Sequence, residues 1–248
     1  MCGMGLGLGL GLLGRSMNTA AYGALLLGHG DNPDAAIFSR NDWEDDLLAL
    51  PSPFIKQYRI PVTANKPCAN GDLLAMAEAR IANSDEKCFA IVMRRSTDKG
   101  KTWGAFEVMV HDGNYAESTP PTATGHHINL GSLTISDTGR VHLVYLVRRN
   151  TGGTTAGFPD DPADMLTYHI RSVDNGVTWT ESDGTARADN EWDEGTDISA
   201  ATRYPASLDA PFGVTGNTAW PFFVVGPSNG CVVSGGANDG RIIIGAYH

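Results

Sequence analysis

The eight residues Ser96-Thr97-Asp98-Lys99-Gly100-Lys101-Thr102-Trp103 fit the pattern S-x-D-x-G-x-T-W, and the pattern recurs as Ser172-Val173-Asp174-Asn175-Gly176-Val177-Thr178-Trp179. Five fixed positions in eight, met twice, mark one structural unit used twice. Gly100 and Gly176 can take a positive φ without a Cβ clash, which a tight hairpin turn requires. Asp98 and Asp174 can accept hydrogen bonds from the turn's own N–H groups and close it from inside. Trp103 and Trp179 then open the return strand and supply a large apolar wedge for a neighbouring sheet. Both aspartates therefore read as turn-formers rather than catalytic groups, and a chain hung on such hairpins should be built of short antiparallel strands.

Composition agrees with that reading. The 248 residues are 42% apolar and 19% charged, as in a globular chain, and 30 glycines with 13 prolines supply the many turns of an all-β fold. The formal charge of −10 and the lack of any Lys/Arg cluster argue against a nucleic-acid surface. An anionic ligand would have to be met by a few locally placed arginines. No C-x-x-C or H-E-x-x-H spacing suggests a metal site, and no cofactor is expected. Cys2, Cys68, Cys88 and Cys231 are too scattered for a disulfide framework. Cys68 and Cys88 could meet across one sheet or stand as buried thiols.

Residues 1–52 are of another kind. Gly5 to Gly14 alternates glycine and leucine, and Ala20 to Leu27 is a second short apolar run. No charge precedes Arg15 and half of the first run is glycine, unlike a secretory signal, so the stretch reads as a poorly ordered leader and localisation stays open. Neither run approaches the roughly 20 apolar residues of a membrane-spanning helix. Asn41 to Leu50 fits one short helix, capped by Asn41, acidic in its first turns and stopped at Pro51. Residues 53–248 form the folded domain.

Within that domain the pattern is of short strands between turn signals. Four are expected over 59–63, 72–78, 89–95 and 103–110. A second set falls over 129–135, 140–147, 166–171 and 179–181, and a third, incomplete, over 221–225, 231–234 and 241–246. The repeated motif begins at Ser96 and Ser172, 76 residues apart, which exceeds a bare four-stranded unit, and an insertion at 152–164 accounts for part of the excess. Four-stranded sheets repeated in this way are blades of a β-propeller, of which this chain carries about two and a half to three. The remaining blades are expected in sequence beyond His248.

The motif resembles the Asp-box (BNR repeat) of sialidases and other propellers. Upstream of its first copy stand Tyr58-Arg59-Ile60-Pro61, Leu73-Leu74-Ala75-Met76-Ala77-Glu78-Ala79-Arg80, Asp85, and Ile91-Val92-Met93-Arg94-Arg95. Their order and spacing resemble the N-terminal half of an exo-α-sialidase (neuraminidase). Gly226-Pro227-Ser228-Asn229-Gly230, Gly240-Arg241 and Ala246-Tyr247 are similar to that family's later glycine-rich stretch and the strand after it. The resemblance covers Tyr58 to His248 and implies a six-bladed propeller, a glycoside hydrolase acting on terminal sialic acids, and sialylated glycoproteins, glycolipids and oligosaccharides as partners.

Residue by residue, the resemblance implies that Arg59 is one of three arginines holding the sugar's carboxylate, a task suited to paired guanidinium hydrogen bonds. Arg80 would face the ring substituents. Asp85 would be the general acid that protonates the leaving oxygen, with Glu86 an adjacent rival and a plain turn residue the alternative. Asn129 and Tyr247 would border the sugar, although Ile128-Asn129-Leu130-Gly131 lacks the family's proline there. Sialidases use a tyrosine nucleophile in place of a second carboxylate. That tyrosine, its glutamate partner and the other two arginines would lie past His248, so this chain alone is expected to be inactive. The alternative is a non-catalytic Asp-box propeller that binds glycans or proteins.

Overall fold

The computed structural model describes residues 37–38, 57–80, 88–112, 126–149, 164–202 and 224–247. Two antiparallel sheets dominate. The first runs in the order β1 (Gln57–Thr63), β2 (Leu73–Arg80), β3 (Cys88–Ser96), β4 (Glu107–His111). The second runs β5 (His127–Ile135), β6 (Val141–Arg148), β7 (Met165–Ser172), β8 (Thr180–Glu181), with β9 (Thr196–Asp197) also paired to β7. A four-residue helix, α1 (Ser199–Thr202), follows. Two small ribbons complete the described chain: β10 (Val224–Val225) with β13 (Ala246–Tyr247), and β11 (Cys231–Val232) with β12 (Ile242–Ile243). No helix among the described residues is long and apolar enough to cross a membrane.

The core lies between the two large sheets and follows from period-2 alternation. Leu74 and Met76 of β2 and Ile91 and Met93 of β3 meet Ile128, Leu130, Leu133, Leu143, Tyr145 and Ile170 of the second sheet, all buried. Each such side chain contributes about 1.5–3 kcal/mol by leaving water. The opposite face of β2 carries Ala75, Ala77 and Ala79, whose small side chains leave room for aromatic rings. Tyr58 and Phe106 stack there with centroids 5.0 Å apart, and Phe38 lies 5.8 Å from Tyr58. Ile37 and Phe38 thus sit in the core although they belong to the stretch read as leader, and Arg94 Nη1 donates to the Ile37 carbonyl at 2.8 Å. The short helix expected over 41–50 lies outside the described residues.

Both octapeptides form the expected turns. Lys99 and Gly100 take φ of 63° and 86°, Asn175 and Gly176 64° and 83°, so each turn uses two left-handed residues rather than the glycine alone. Thr102 N–H and its hydroxyl donate to the two Asp98 oxygens at 2.9 and 2.6 Å, and Thr178 repeats this on Asp174 at 2.9 and 2.6 Å. Ser96 and Ser172 accept from Gly100 and Gly176 N–H at 2.7 and 2.8 Å. These donors hold the Asp98 carboxyl down to about 2. The second turn also clasps the first sheet: Arg95 Nη1 donates to the Asn175 carbonyl at 2.7 Å and to Asp72 at 3.0 Å. A Cβ on Gly176 would come within 2.9 Å of Leu74 Cδ1. Cys68, buried beside this clasp, is a free thiol.

Two expectations need correction, and one strand is added. The strand expected from Trp103 begins only at Glu107, because Gly104 is tied back to the first sheet: its N–H donates to the Arg95 carbonyl at 2.8 Å, and its carbonyl accepts from Arg94 Nε at 2.7 Å. The strand β9 was not anticipated, being only two residues long and defined by its partner β7. The strand expected over 241–246 is two strands that serve different partners, broken where the Gly245 carbonyl accepts from Gly226 N–H at 2.8 Å.

Candidate functional site

Along β2 the face that meets the second sheet reads Leu74, Met76, Glu78, Arg80, so an apolar stripe turns ionic at its far end. Glu78 and Arg80 are each only 1% exposed. A buried charge is tolerated only when paired and hydrogen-bonded, and both conditions are met. Glu78 Oε2 accepts from Arg80 Nε at 2.8 Å and from Arg80 Nη2. Its other oxygen accepts from Leu130 N–H at 2.9 Å and Asn129 Nδ2 at 3.2 Å. Burial pushes the Glu78 carboxyl up, and Arg80 with the two donors from β5 works against that rise. All of these neighbours are N–H donors, the environment of an ionised acceptor.

Arg59 stands directly across from Glu78 in the β1–β2 register. Directly opposed residues of an antiparallel pair share a face, and so do residues two apart on one strand. Arg59, Glu78 and Arg80 therefore share one face. Immediately after Arg59 the register shifts, and Ile60 takes a φ of 54°, a sparsely populated conformation for a β-branched residue. Such a bulge bends a strand and re-aims the neighbouring side chain. It falls on an edge strand, where Pro61, with no N–H to donate, removes nothing from the ladder.

The structure thus joins Arg80 to Asn129 through Glu78 and places Arg59 opposite that carboxylate. Asp85 lies outside the described residues, in the connection from Arg80 to Cys88. Tyr247 is on β13, paired with Val224, and the ribbon it belongs to lies against β5 and β6. Sequence reasoning assigned no role to Glu78. Its signal was an ionisable pair at i and i+2 inside an otherwise apolar strand. No group of three or more His, Cys, Asp or Glu that could hold a metal ion occurs among the described residues.

Another polar chain occupies the opposite face of the second sheet. His142 Nδ1 and His169 Nε2 are 3.0 Å apart, the rings stack at 5.3 Å, and His169 Nδ1 meets Ser182 Oγ at 2.5 Å. Burial, with Arg140 and Arg171 near His142 and with His142 and Arg171 near His169, lowers both imidazoles to about 4.

No protein-family model matches the chain. Over 149 residues it is 32% identical to a sialidase from Micromonospora viridifaciens, an alignment covering 58% of this chain and 22% of that protein. Among solved structures, the Hadza microbial sialidase aligns over 85% of this chain and 34% of its own, with a TM-score of 0.52 and 18% identity. The intramolecular trans-sialidase of Ruminococcus gnavus aligns over 79% of this chain and 56% of its own, with a TM-score of 0.52 and 15% identity. The leech intramolecular trans-sialidase does so over 79% and 40%, with a TM-score of 0.51 and 15% identity. The chain is homologous over part of its length to a sialidase, shares its fold with solved sialidases, and spans about a fifth of the relative and a third to just over half of these structures.

Proposed function

We propose that this chain supplies the first part of the active site of an exo-α-sialidase, a glycosidase that removes terminal sialic acids from glycoconjugates on a six-bladed Asp-box propeller. The observation that carries the reading is the buried Glu78–Arg80 pair with Arg59 opposite it, anchored to Asn129 and Leu130 of the second sheet. A sialic acid presents a carboxylate beside its anomeric carbon, and a guanidinium fixed in place meets it with charge-assisted hydrogen bonds. In this reading Arg59 holds that carboxylate and Arg80, locked by Glu78, faces the ring substituents. Asp85 protonates the departing glycosidic oxygen and then activates water, while Asn129 and Tyr247 border the sugar. The nucleophile of this class is a tyrosine, which the remainder of the propeller supplies.

The test uses the full-length protein that contains this chain and a fluorogenic α-sialoside. Turnover is expected, with a loss of about 10²-fold or more in Asp85→Ala, and a larger rise in KM than fall in kcat for Arg59→Lys. Wild-type protein that releases no more fluorophore than the Asp85→Ala variant refutes the hydrolase. Sialoside binding in that same inactive sample would assign the chain to a glycan-binding propeller instead.

A further inference from the structure

At the end of the first sheet remote from Arg59 and Arg80, two cavities lie side by side, and Glu107 at the start of β4 lines both. In the register Glu107 stands opposite Met93 and Met93 opposite Met76, four residues along β2 and two strands across from Arg80, or roughly 16 Å at about 3.3 Å per residue and 4.8 Å per strand. The larger cavity, about 450 Å³, is walled by Trp179, Arg187, Asp189 and Asn190. The smaller, about 330 Å³, is walled by Arg95, Thr97, Thr102 and Trp103. Both volumes fall in the range of small-molecule sites. Each octapeptide turn thereby puts its own half-buried tryptophan into one of two adjoining recesses.

Chemistry narrows the occupant. Glu107 and Asp189 offset Arg95 and Arg187, so neither a polyanion nor a polycation is favoured. The larger recess presents mainly amide, carboxylate and guanidinium groups beside Trp179, Val108, Met109, Val177 and Ala188, and the smaller is about evenly polar and apolar, a mixture that disfavours a wholly apolar ligand. A pyranose fits what remains: its C–H face suits an indole and its hydroxyl rim suits mixed donors and acceptors. The walls are also fixed in advance, which lowers the ordering cost of binding. Arg187 donates to the Met109 and Glu194 carbonyls at 3.0 and 3.1 Å and to Asn190 Oδ1 at 3.1 Å. Asn190 Nδ2 donates to the Val108 carbonyl at 2.8 Å. Glu107 stands exposed at the start of β4 and borders both recesses, where partial desolvation raises its carboxyl.

We infer that this double cavity is a binding groove for a neutral oligosaccharide, with one sugar ring in each recess and Glu107 accepting hydroxyl hydrogen bonds between them. It is separate from the Arg59–Arg80 end of the sheet and does not rest on the hydrolase reading. The test is saturation-transfer NMR on the full chain with cellotriose, maltotriose and N-acetyllactosamine as neutral probes and a heparin tetrasaccharide as the anionic control. At least one neutral probe should bind at millimolar concentration or below. Its affinity should fall about tenfold, or 1.4 kcal/mol, in Glu107→Ala and Trp179→Ala, and be unchanged in Arg59→Ala. Asp189→Ala, at an exposed site, serves where Trp179→Ala does not fold. The inference is overturned by no transfer from any neutral probe, by equal or tighter binding of the heparin fragment, by wild-type affinity in Glu107→Ala, or by loss in Arg59→Ala.

Discussion

Removing the Glu78 carboxylate should cost more than any other single change at the Arg80 end of the sheet. In Glu78→Ala the Arg80 guanidinium loses its buried counter-charge, while Leu130 N–H and Asn129 Nδ2 lose their shared acceptor. Breaking a buried pair from one side costs about 3–5 kcal/mol. Glu78→Gln keeps an oxygen for Leu130 N–H but forfeits the charge and turns an N–H₂ toward donors, so it should cost about 1.5–3 kcal/mol. Urea unfolding followed by tryptophan fluorescence measures both, with an unchanged m value showing that the two-state comparison holds. The double variant Glu78→Leu/Arg80→Leu should lose less than the sum of its single variants, because neither member of the pair is then buried without the other. A loss below about 1 kcal/mol in Glu78→Ala at constant m would falsify the view that this pair is desolvated and interdependent.

Three further outcomes are expected of the folded protein. Folded His142 and His169 stay neutral down to about pH 4, whereas unfolded rings take up protons near 6.5, so their contribution is complete above 6.5 and is lost as pH falls toward 4. That fall bounds the effect at roughly 3 kcal/mol per ring, which partial exposure reduces to about 1–2 kcal/mol; the difference in urea midpoint between wild type and His142→Leu/His169→Leu should change over this window, and a parallel pair of pH profiles refutes it. Gly226 has a φ of 77°, and a Cβ there would lie 2.0 Å from the Gly131 carbonyl oxygen, so Gly226→Ala should destabilise by about 2–5 kcal/mol. Gly240→Ala, with a similar φ of 79° and open space around it, should cost only about 1–2 kcal/mol; equal thermal shifts would contradict the steric argument. Native-state alkylation with iodoacetamide should label exposed Cys231 and spare Cys68, whose thiol burial pushes up, and peptide mapping that finds both equally modified refutes this.

The candidate site was only partly legible in the chain. Arg59, Arg80 and Asn129 stood out as residues of a spaced pattern, yet nothing in that pattern showed Glu78 joining two of them. Its partners on β5 are 51 and 52 residues away, and pairing at that range depends on how two sheets pack rather than on any local preference. Ile37 and Phe38 were hidden for the same reason: Ala35 to Phe38 is too short an apolar run to show a period, and the cluster with Tyr58, Val92 and Phe106 gives the pair its place.

By itself the sequence determined the two octapeptide turns and eight of the strands to within two residues at either end, because both are local. A left-handed pair closed by an aspartate needs only its own eight residues, and a half-buried strand needs only alternation. Tertiary structure decided everything that depends on two segments meeting: the split of 241–246 between β11 and β10, the clasp of Arg95 on Asn175, the Glu78 pair, and the groove between Trp103 and Trp179. Desolvation is the physical reason, since a charge, a ring or an unpaired strand edge acquires its energy from the surface that covers it, and that surface comes from elsewhere in the chain.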